Sequence, residues 1–346
     1  MHAYSVTQFG LTHLQKTDLP TPQMAPGAVL IKVHAVSLNY RDLMVVKGLY
    51  NPKMALPRIP CSDGAGEVVA VGEGVTRVKV GDRVCGIFMQ LWLDGPPTAD
   101  KSKAALGGDV DGMLTEYALL HQDGVVRFPE HLTYEEAATL PCAGVTAWNA
   151  LHHAGDPANP TQPGETVVIQ GTGGVSIFAL QFAKLLGARV IGTVGSDEKA
   201  RMARDNGCDM PIVSPDHRFA DAVKAATGGR GVDVVFDGLG RQAEHENYES
   251  LASTGHWISF GHTTGALPPL DPGLQSAKSL RLSRPVLFHY TDDPVRLRAM
   301  AANVFAMLQR GVLRVTVRHR FPLSAAAAAL DALESRQTTG SIVLVT

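Results

Sequence analysis

A chain of 346 residues exceeds one ordinary domain, and 45% hydrophobic residues give it apolar material for two cores. Its 31 basic and 33 acidic side chains leave a net charge of −2, which offers no electrostatic footprint for nucleic acid. No run of 18 apolar residues occurs, and Met1–Gln8 lacks the basic start and apolar stretch of a secretory leader. No membrane partner is therefore expected, and the cytoplasm is the expected location.

Up to about Phe128 the chain reads as β-rich. The stretches Ala28–Val36, Gly66–Val71 and Arg77–Val84 partly alternate apolar and polar residues, with turns at Gly72-Glu73-Gly74 and Gly81-Asp82 between them. Pro96 through Gly108 reads as a loop. Thr133-Tyr134-Glu135-Glu136 is a capping box that opens a helix through Ala138, and the domain crossing is placed there. Cys61, Cys85, Cys142 and Cys208 show no Cys-x-x-Cys spacing, so they read as reduced thiols and not as a structural zinc lobe.

The organising stretch is Thr166–Gly195. Val167–Gln170 is a short buried-strand pattern, Gly171-Thr172-Gly173-Gly174 turns tightly, and Val175–Leu186 repeats apolar residues at helical spacing up to Gly187. Arg189–Val194 reads as a second buried strand. In such a βαβ unit the first glycine permits the turn, and the next lets backbone N–H groups approach a pyrophosphate at the positive helix end. Gly171, Thr172, Gly173, Gly174 and Val175 are the candidate cradle. Ser176 stands where a third glycine is usual, so the strand–turn–helix–strand context carries the reading.

Beyond it, helices near Asp197–Asn206 and Ala220–Ala226 alternate with strands at Met210–Val213, Val232–Phe236 and His256–Phe260. The turn Asp237-Gly238-Leu239-Gly240 lies at a strand's carboxyl end, where ligands of parallel sheets collect, which makes Gly238 a further candidate. Asp292–Arg310 is an amphipathic helix with Leu297, Met300, Ala301, Val304 and Leu308 on one face, stopped by Gly311. A strand, an alanine-rich helix and Ser341–Thr346 follow, the last returning to the first domain. Val194 occupies the position at which NAD-binding units place an acidic residue for the ribose. Ser196 and Lys199 follow it, with Arg201 and Arg204 as further sources of positive charge. The lysine's role is either to meet a 2′-phosphate or to be an ordinary solvated helix residue.

Several segments resemble motifs of the medium-chain dehydrogenase/reductase superfamily: Leu38–Asp42 (LNYRD), Pro60–Gly66 (PCSDGAG), Val80–Val84 (VGDRV), Gln170–Ser176 and Phe236–Gly240 (FDGLG). Lys278 through Pro285 and Leu333 through Gly340 are similar to the quinone oxidoreductase branch in particular. The resemblance implies an α/β fold with a GroES-like β-rich catalytic domain over 1–135 and 283–346 and a Rossmann doubly wound parallel-sheet domain over 136–282. It also implies a homodimer paired through edge strands of the nucleotide domains. Asn39, Ser62 and Cys142 fall where zinc members of the superfamily carry Cys, His and Cys, so zinc-independent chemistry is expected.

The same resemblance implies NADPH as coenzyme. It assigns Lys199 and Arg336 to the 2′-phosphate and Thr146 to the nicotinamide, while a family tyrosine is replaced by Ser214. Tyr50, eleven residues after Asn39, matches the proton-donating tyrosine of related enoyl-thioester reductases. A phenol stays protonated at pH 7 yet can release its proton to an enolate. The alternative is that Tyr50 only lines the pocket. Asn39 either donates its amide to the substrate oxygen or the nicotinamide ribose, or simply stabilises a turn. The implied activity is an NADPH-dependent, zinc-independent reductase of a small electrophile, a quinone or an α,β-unsaturated carbonyl. A metal-free alcohol or carbonyl oxidoreductase, and a coenzyme-binding sensor or structural protein with little catalysis, are the competing readings. The substrate pocket is expected to draw on residues near Leu287–Tyr290.

Overall fold

The computed structural model describes residues 1–92, 95, 96, 98–152, 160–286, 289 and 294–346, with the backbone alone over 294–298. Leu287, Phe288 and Tyr290, expected at the pocket, Asp292 at the start of the expected amphipathic helix, the side chain of Leu297, and Pro97 in the expected loop lie outside the described residues. Two compact units form: Met1–Val145 together with Thr291–Thr346, and Thr146–Tyr290.

The second unit is built on six parallel strands in the order Met210–Val213, Arg189–Val194, Thr166–Gln170, Val232–Asp237, Leu251–Ser259, Arg281–Ser283. Thr166–Gln170 is buried along its whole length, as a strand covered on both faces must be, and for that reason it reads as a continuous apolar run. Val168, Ile191, Val235 and Trp257 from four strands share a core with Phe219 and Val223. The helix Gly174–Leu185 packs on the first two strands of the βαβ unit with Ile177, Phe178, Leu180 and Phe182 buried. Gly187 ends that turn with φ +81, a conformation that costs other residues steric energy.

The first unit is a mixed sheet running Val317–Pro322, Ser341–Val345, Ala28–Leu38, Asp63–Val71, Arg83–Gly86, Val125–Arg127, with Tyr117–His121 also paired to Ala28–Leu38. Ser341–Val345 pairs antiparallel with Ala28–Leu38 through Ile342 opposite Leu38 and Val345 opposite Ala35, so the late segment does return to the early sheet. A two-stranded ribbon, His2–Val6 with Leu14–Asp18, flanks it. Val29, Ile31, Val33, Val84, Leu106, Met113, Leu330 and Leu344 lie in one apolar core.

Three local expectations shift. Arg77–Val84 is not one strand: pairing begins only at Arg83. Before it, the Gln122 side-chain oxygen accepts from the N–H groups of Thr76 and Arg77, Asp82 accepts from Lys79 N–H, and Gly81 sits at φ +89. These side-chain acceptors replace ladder partners and make a turn. The strand ending at Ser259 starts at Leu251, with an irregularity where Thr254 takes φ +64. The crossing between units falls at Val145, inside a helical run that continues from Leu140–Gly144 into Val145–His152.

Candidate functional site

The glycine turn of the second unit forms as its sequence requires. Gly171 has φ +77, and the helix that follows is capped by Gly173, which supplies no side-chain acceptor to the first helical N–H groups. A β-carbon on Gly173 would meet nothing within 4 Å. Ser176 is buried and its hydroxyl donates to Gln170 O at 2.7 Å, so it turns inward and leaves the mouth of the turn clear. Thr172 Oγ1 is buried and has no hydrogen-bond partner. Unsatisfied helix-end N–H groups, open space at Gly173 and an orphaned hydroxyl beside them fit the pyrophosphate of a dinucleotide.

Ser196, Ser214 and Gly238 follow the carboxyl ends of strands of the same sheet. Ser196 caps the helix Asp197–Asp205 by accepting from Lys199 N–H at 3.3 Å, and a β-carbon on Gly195 would meet nothing within 4 Å. The buried Ser214 hydroxyl donates to Arg218 O at 2.9 Å and lies 3.2 Å from Asp216, so it is engaged within its own loop. Gly238 is held by Asp237: its Oδ1 accepts from Leu239 and Gly240 N–H at 2.9 Å each, and its Oδ2 from Trp257 Nε1 at 3.0 Å. Gln170 bonds Asn247 at 2.5 Å and fixes the strand end beneath that turn. Thr146 opens the second unit and is half-buried. Arg336 belongs to the first unit, exposed just past the helix Ala326–Glu334, with φ +56.

In the first unit, Asn39 starts the helix Tyr40–Val46, where the Asp42 carboxylate accepts from Asn39 N–H at 2.8 Å. That helix stops at Gly48, φ +71, whose hydrogen atom position faces the Phe9 ring; a β-carbon there would lie 2.6 Å from it. Leu49 and Tyr50 then donate their N–H groups back to Met44 O at 2.8 and 3.2 Å, which turns the chain back onto the end of that helix. The Arg41 guanidinium lies 4.9 Å from the Tyr50 ring centre and 4.5 Å from that of Phe88. Arg41 Nη1 donates to Leu106 O at 2.7 Å and stands 3.5 Å from Asp42. Tyr50 itself is 45% exposed.

Sequence reasoning left one residue of this cluster without a role. Asp63, wholly buried, accepts from the Ser62 hydroxyl at 3.0 Å and from Cys142 N–H at 2.9 Å. Asn39 Nδ2 is buried and makes no hydrogen bond of ordinary geometry, yet the Asn39 amide lies near enough to Asp63 to hold that carboxyl's pKa down. Burial, reinforced by the Asp42 charge, outweighs these donors and pushes Asp63 up to about 7. Burial also raises Asp42 against the pull of Arg41 and of the Asn39 and Ser62 N–H groups. The signal available in the sequence was a charged residue inside the small, apolar run Pro60–Gly66.

Of the three positions aligned with zinc ligands, Ser62 gives Asp63 its hydroxyl and Cys142 its backbone N–H, while the Asn39 amide acts on the same carboxyl. Their donor set is an amide, a hydroxyl already given to a carboxylate, and a single thiol. That set does not fit zinc, which takes thiolate, imidazole or free carboxylate ligands. Among the described residues no group of three or more His, Cys, Asp or Glu side chains is arranged to hold a metal ion. No helix of the described residues is long and apolar enough to cross a membrane.

Residues 25–130 match the alcohol dehydrogenase GroES-like domain family, and residues 174–300 match the zinc-binding dehydrogenase family. A quinone oxidoreductase of Pseudomonas aeruginosa is 35% identical over 334 residues, covering 96% of this chain and 95% of the relative. A 2-haloacrylate reductase of a Burkholderia species is 32% identical over 329 residues, 92% of this chain and 91% of the relative. The crystal structure of Escherichia coli quinone oxidoreductase complexed with NADPH superposes with a TM-score of 0.87 at 28% identity, covering 100% of both chains.

Proposed function

The chain belongs to the medium-chain dehydrogenase/reductase superfamily, in its quinone oxidoreductase-like branch, and on that footing we propose that it is a reductase drawing hydride from NADPH and passing it to a quinone or an α,β-unsaturated carbonyl. The observation that carries the reading is the uncapped helix start at Gly173, with open space before it and the unpartnered Thr172 hydroxyl at its side. Gly171 to Val175 bind the pyrophosphate through backbone N–H groups. Val194, in place of a carboxylate, leaves a 2′-phosphate unopposed, and Lys199 and Arg336 are the residues that answer its charge. Thr146 and Gly238 take the nicotinamide half.

Bound NADPH supplies the hydride. This chain supplies what the acceptor then needs: a donor for the oxygen that gains negative charge and, for an enone, a proton for the resulting enolate. The Asn39 amide is the donor, since its Nδ2 has no ordinary hydrogen bond within the protein. Tyr50 is the proton source, seated against Arg41 and 45% exposed. Quinones need no enzyme proton, because their reduced oxygens take protons from water. The strand Arg281–Ser283 has a neighbour on one side only among the described residues, and it is the edge through which two copies pair in the proposed homodimer.

The test is a side-by-side assay of the purified protein with a quinone and an enone under NADPH and NADH, and with a primary alcohol under the oxidised coenzymes. Turnover of quinone or enone with preference for NADPH is expected. Turnover of the alcohol alone would overturn the reading.

A further inference from the structure

Arg41, on the helix Tyr40–Val46, is fixed by contacts from distant parts of the first unit, and its side chain is 10% exposed. Nη1 donates to Leu106 O at 2.7 Å, and Nη2 lies so near Gly108 that a β-carbon there would stand 2.9 Å from it. Leu106 N–H in turn donates to Phe88 O at 2.9 Å, and Gln90 N–H to Ala104 O at 2.9 Å, so residues 88–90 and 104–106 form a paired ledge. That ledge supplies both the Leu106 carbonyl and the Phe88 ring, whose centre is 4.5 Å from the guanidinium carbon. Yet Nε and Nη2 are buried with no hydrogen-bond partner in the protein. Leaving such donors unpaired is costly, so hydrogen bonding alone does not account for a guanidinium in this place. What the fixed side chain does present is a flat cation against the Tyr50 ring, 4.9 Å from its centre.

We propose that Arg41 is a positioning residue: its guanidinium, anchored to the ledge of Phe88 and Leu106, holds the Tyr50 ring where the phenol can hand over its proton. This rests on the reading of Tyr50 as the proton source for an enone. In that step the phenol O–H bond breaks, the α-carbon of the enolate gains the proton, and water restores the phenol. The ring needs an anchor. It follows the helix stop at Gly48, its N–H reaches Met44 O at 3.2 Å, and at 45% exposure it has less packing around it than a core aromatic. Proton transfer is efficient only from a donor kept within hydrogen-bond reach of the accepting atom, so a ring free to swing lowers kcat for that step. A quinone, which takes its protons from water, does not feel the change.

The experiment uses Gly108→Ala and Arg41→Lys in the full chain, each alone and combined with Tyr50→Phe. The methyl group of Gly108→Ala displaces the flexible end of Arg41 and otherwise meets Ala105 O at 3.6 Å, an ordinary contact, so the variant folds. Arg41→Lys keeps a cation beside Asp42 but loses the flat guanidinium. In Gly108→Ala, enone kcat is expected to fall about fivefold, with quinone kcat and the NADPH dissociation constant changed by less than about twofold. In Arg41→Lys the enone loss is at least about tenfold and exceeds any loss on quinone. Combined with Tyr50→Phe, neither substitution lowers the enone rate further. NMR of isotope-labelled tyrosine rings reads the contact without turnover: the Tyr50 signal, assigned by its loss in Tyr50→Phe, is expected to shift in both variants. Equal losses on enone and quinone, or losses that add to that of Tyr50→Phe, overturn the positioning role. An unshifted Tyr50 signal overturns the contact itself. An enone rate untouched by Tyr50→Phe overturns the proton-source reading and this proposal with it. A loss in Tyr50→Phe with none in Gly108→Ala and Arg41→Lys overturns this proposal alone.

Discussion

Tyr50 and Asn39 show what one side chain can be asked to do. Tyr50 lies against the guanidinium of Arg41 and is 45% exposed, and in the proposed reaction it is the proton source. Tyr50→Phe keeps the ring over Arg41 and removes only the hydroxyl. Its enone kcat is expected to fall by about 10²-fold, the usual worth of a positioned general acid, with quinone kcat changed by less than about threefold. Steady-state rates on both acceptors check this; an equal loss on both would remove Tyr50 as the proton source. The local turn that seats Tyr50 against Arg41 follows from the glycine stop at Gly48, which short-range spacing makes readable. Asp63 was not readable in this way, because its importance comes from Cys142, a contact no spacing rule reaches. Ser214 was legible as a departure from a pattern, but its engagement with Arg218 O is set by the fold of its own loop.

Among the elements, the turn from Gln170 into the helix Gly174–Leu185 separates two kinds of glycine. Gly171 is needed for its backbone, at φ +77, and Gly171→Ala is expected to cost about 1–2 kcal/mol of stability. Gly173 has an ordinary φ of −74 and nothing within 4 Å of a β-carbon, so Gly173→Glu folds normally. The added carboxylate occupies the place of the pyrophosphate at the helix start, and NADPH affinity is expected to fall at least about 10²-fold, combining lost space and charge repulsion. Fluorescence titration with NADPH and a thermal melt separate the two variants; if Gly173→Glu binds normally, the cradle lies elsewhere. The strand and helix here could be read from sequence because a fully covered strand and an amphipathic helix have unlike periods. Arg77–Val84 misled for the converse reason: alternation persists through a turn when Gln122 and Asp82 take over the hydrogen bonding.

At the level of the whole molecule, stability should respond to the buried carboxyls. Asp63 has its folded value near 7 and an ordinary value of 3.8. The folded state therefore binds the proton more tightly than the unfolded one, and this contribution is complete below about pH 4 and lost as pH rises through 7. Asp42 shifts in the same direction, with Arg41 opposing it, while the Cys61 and Cys85 thiols beside them are raised and stay neutral across this range. The melting temperature of the wild type is expected to fall between about pH 5 and about pH 8, and Asp63→Asn to flatten that slope. Scanning calorimetry at several pH values checks this, and parallel slopes would assign the proton to another group. The sequence pattern changes near residue 135, whereas the crossing lies at Val145, within a helical run that Pro141 and Gly144 do not interrupt. One further consequence follows from Ser341–Val345 lying between Val317–Pro322 and Ala28–Leu38. On a translating ribosome, Thr146–Tyr290 emerges as an uninterrupted stretch able to settle at once, whereas the early sheet must wait with Ala28–Leu38 lacking its companion until almost everything else has been made. Whatever holds that waiting edge from pairing with another nascent chain governs the yield of native protein.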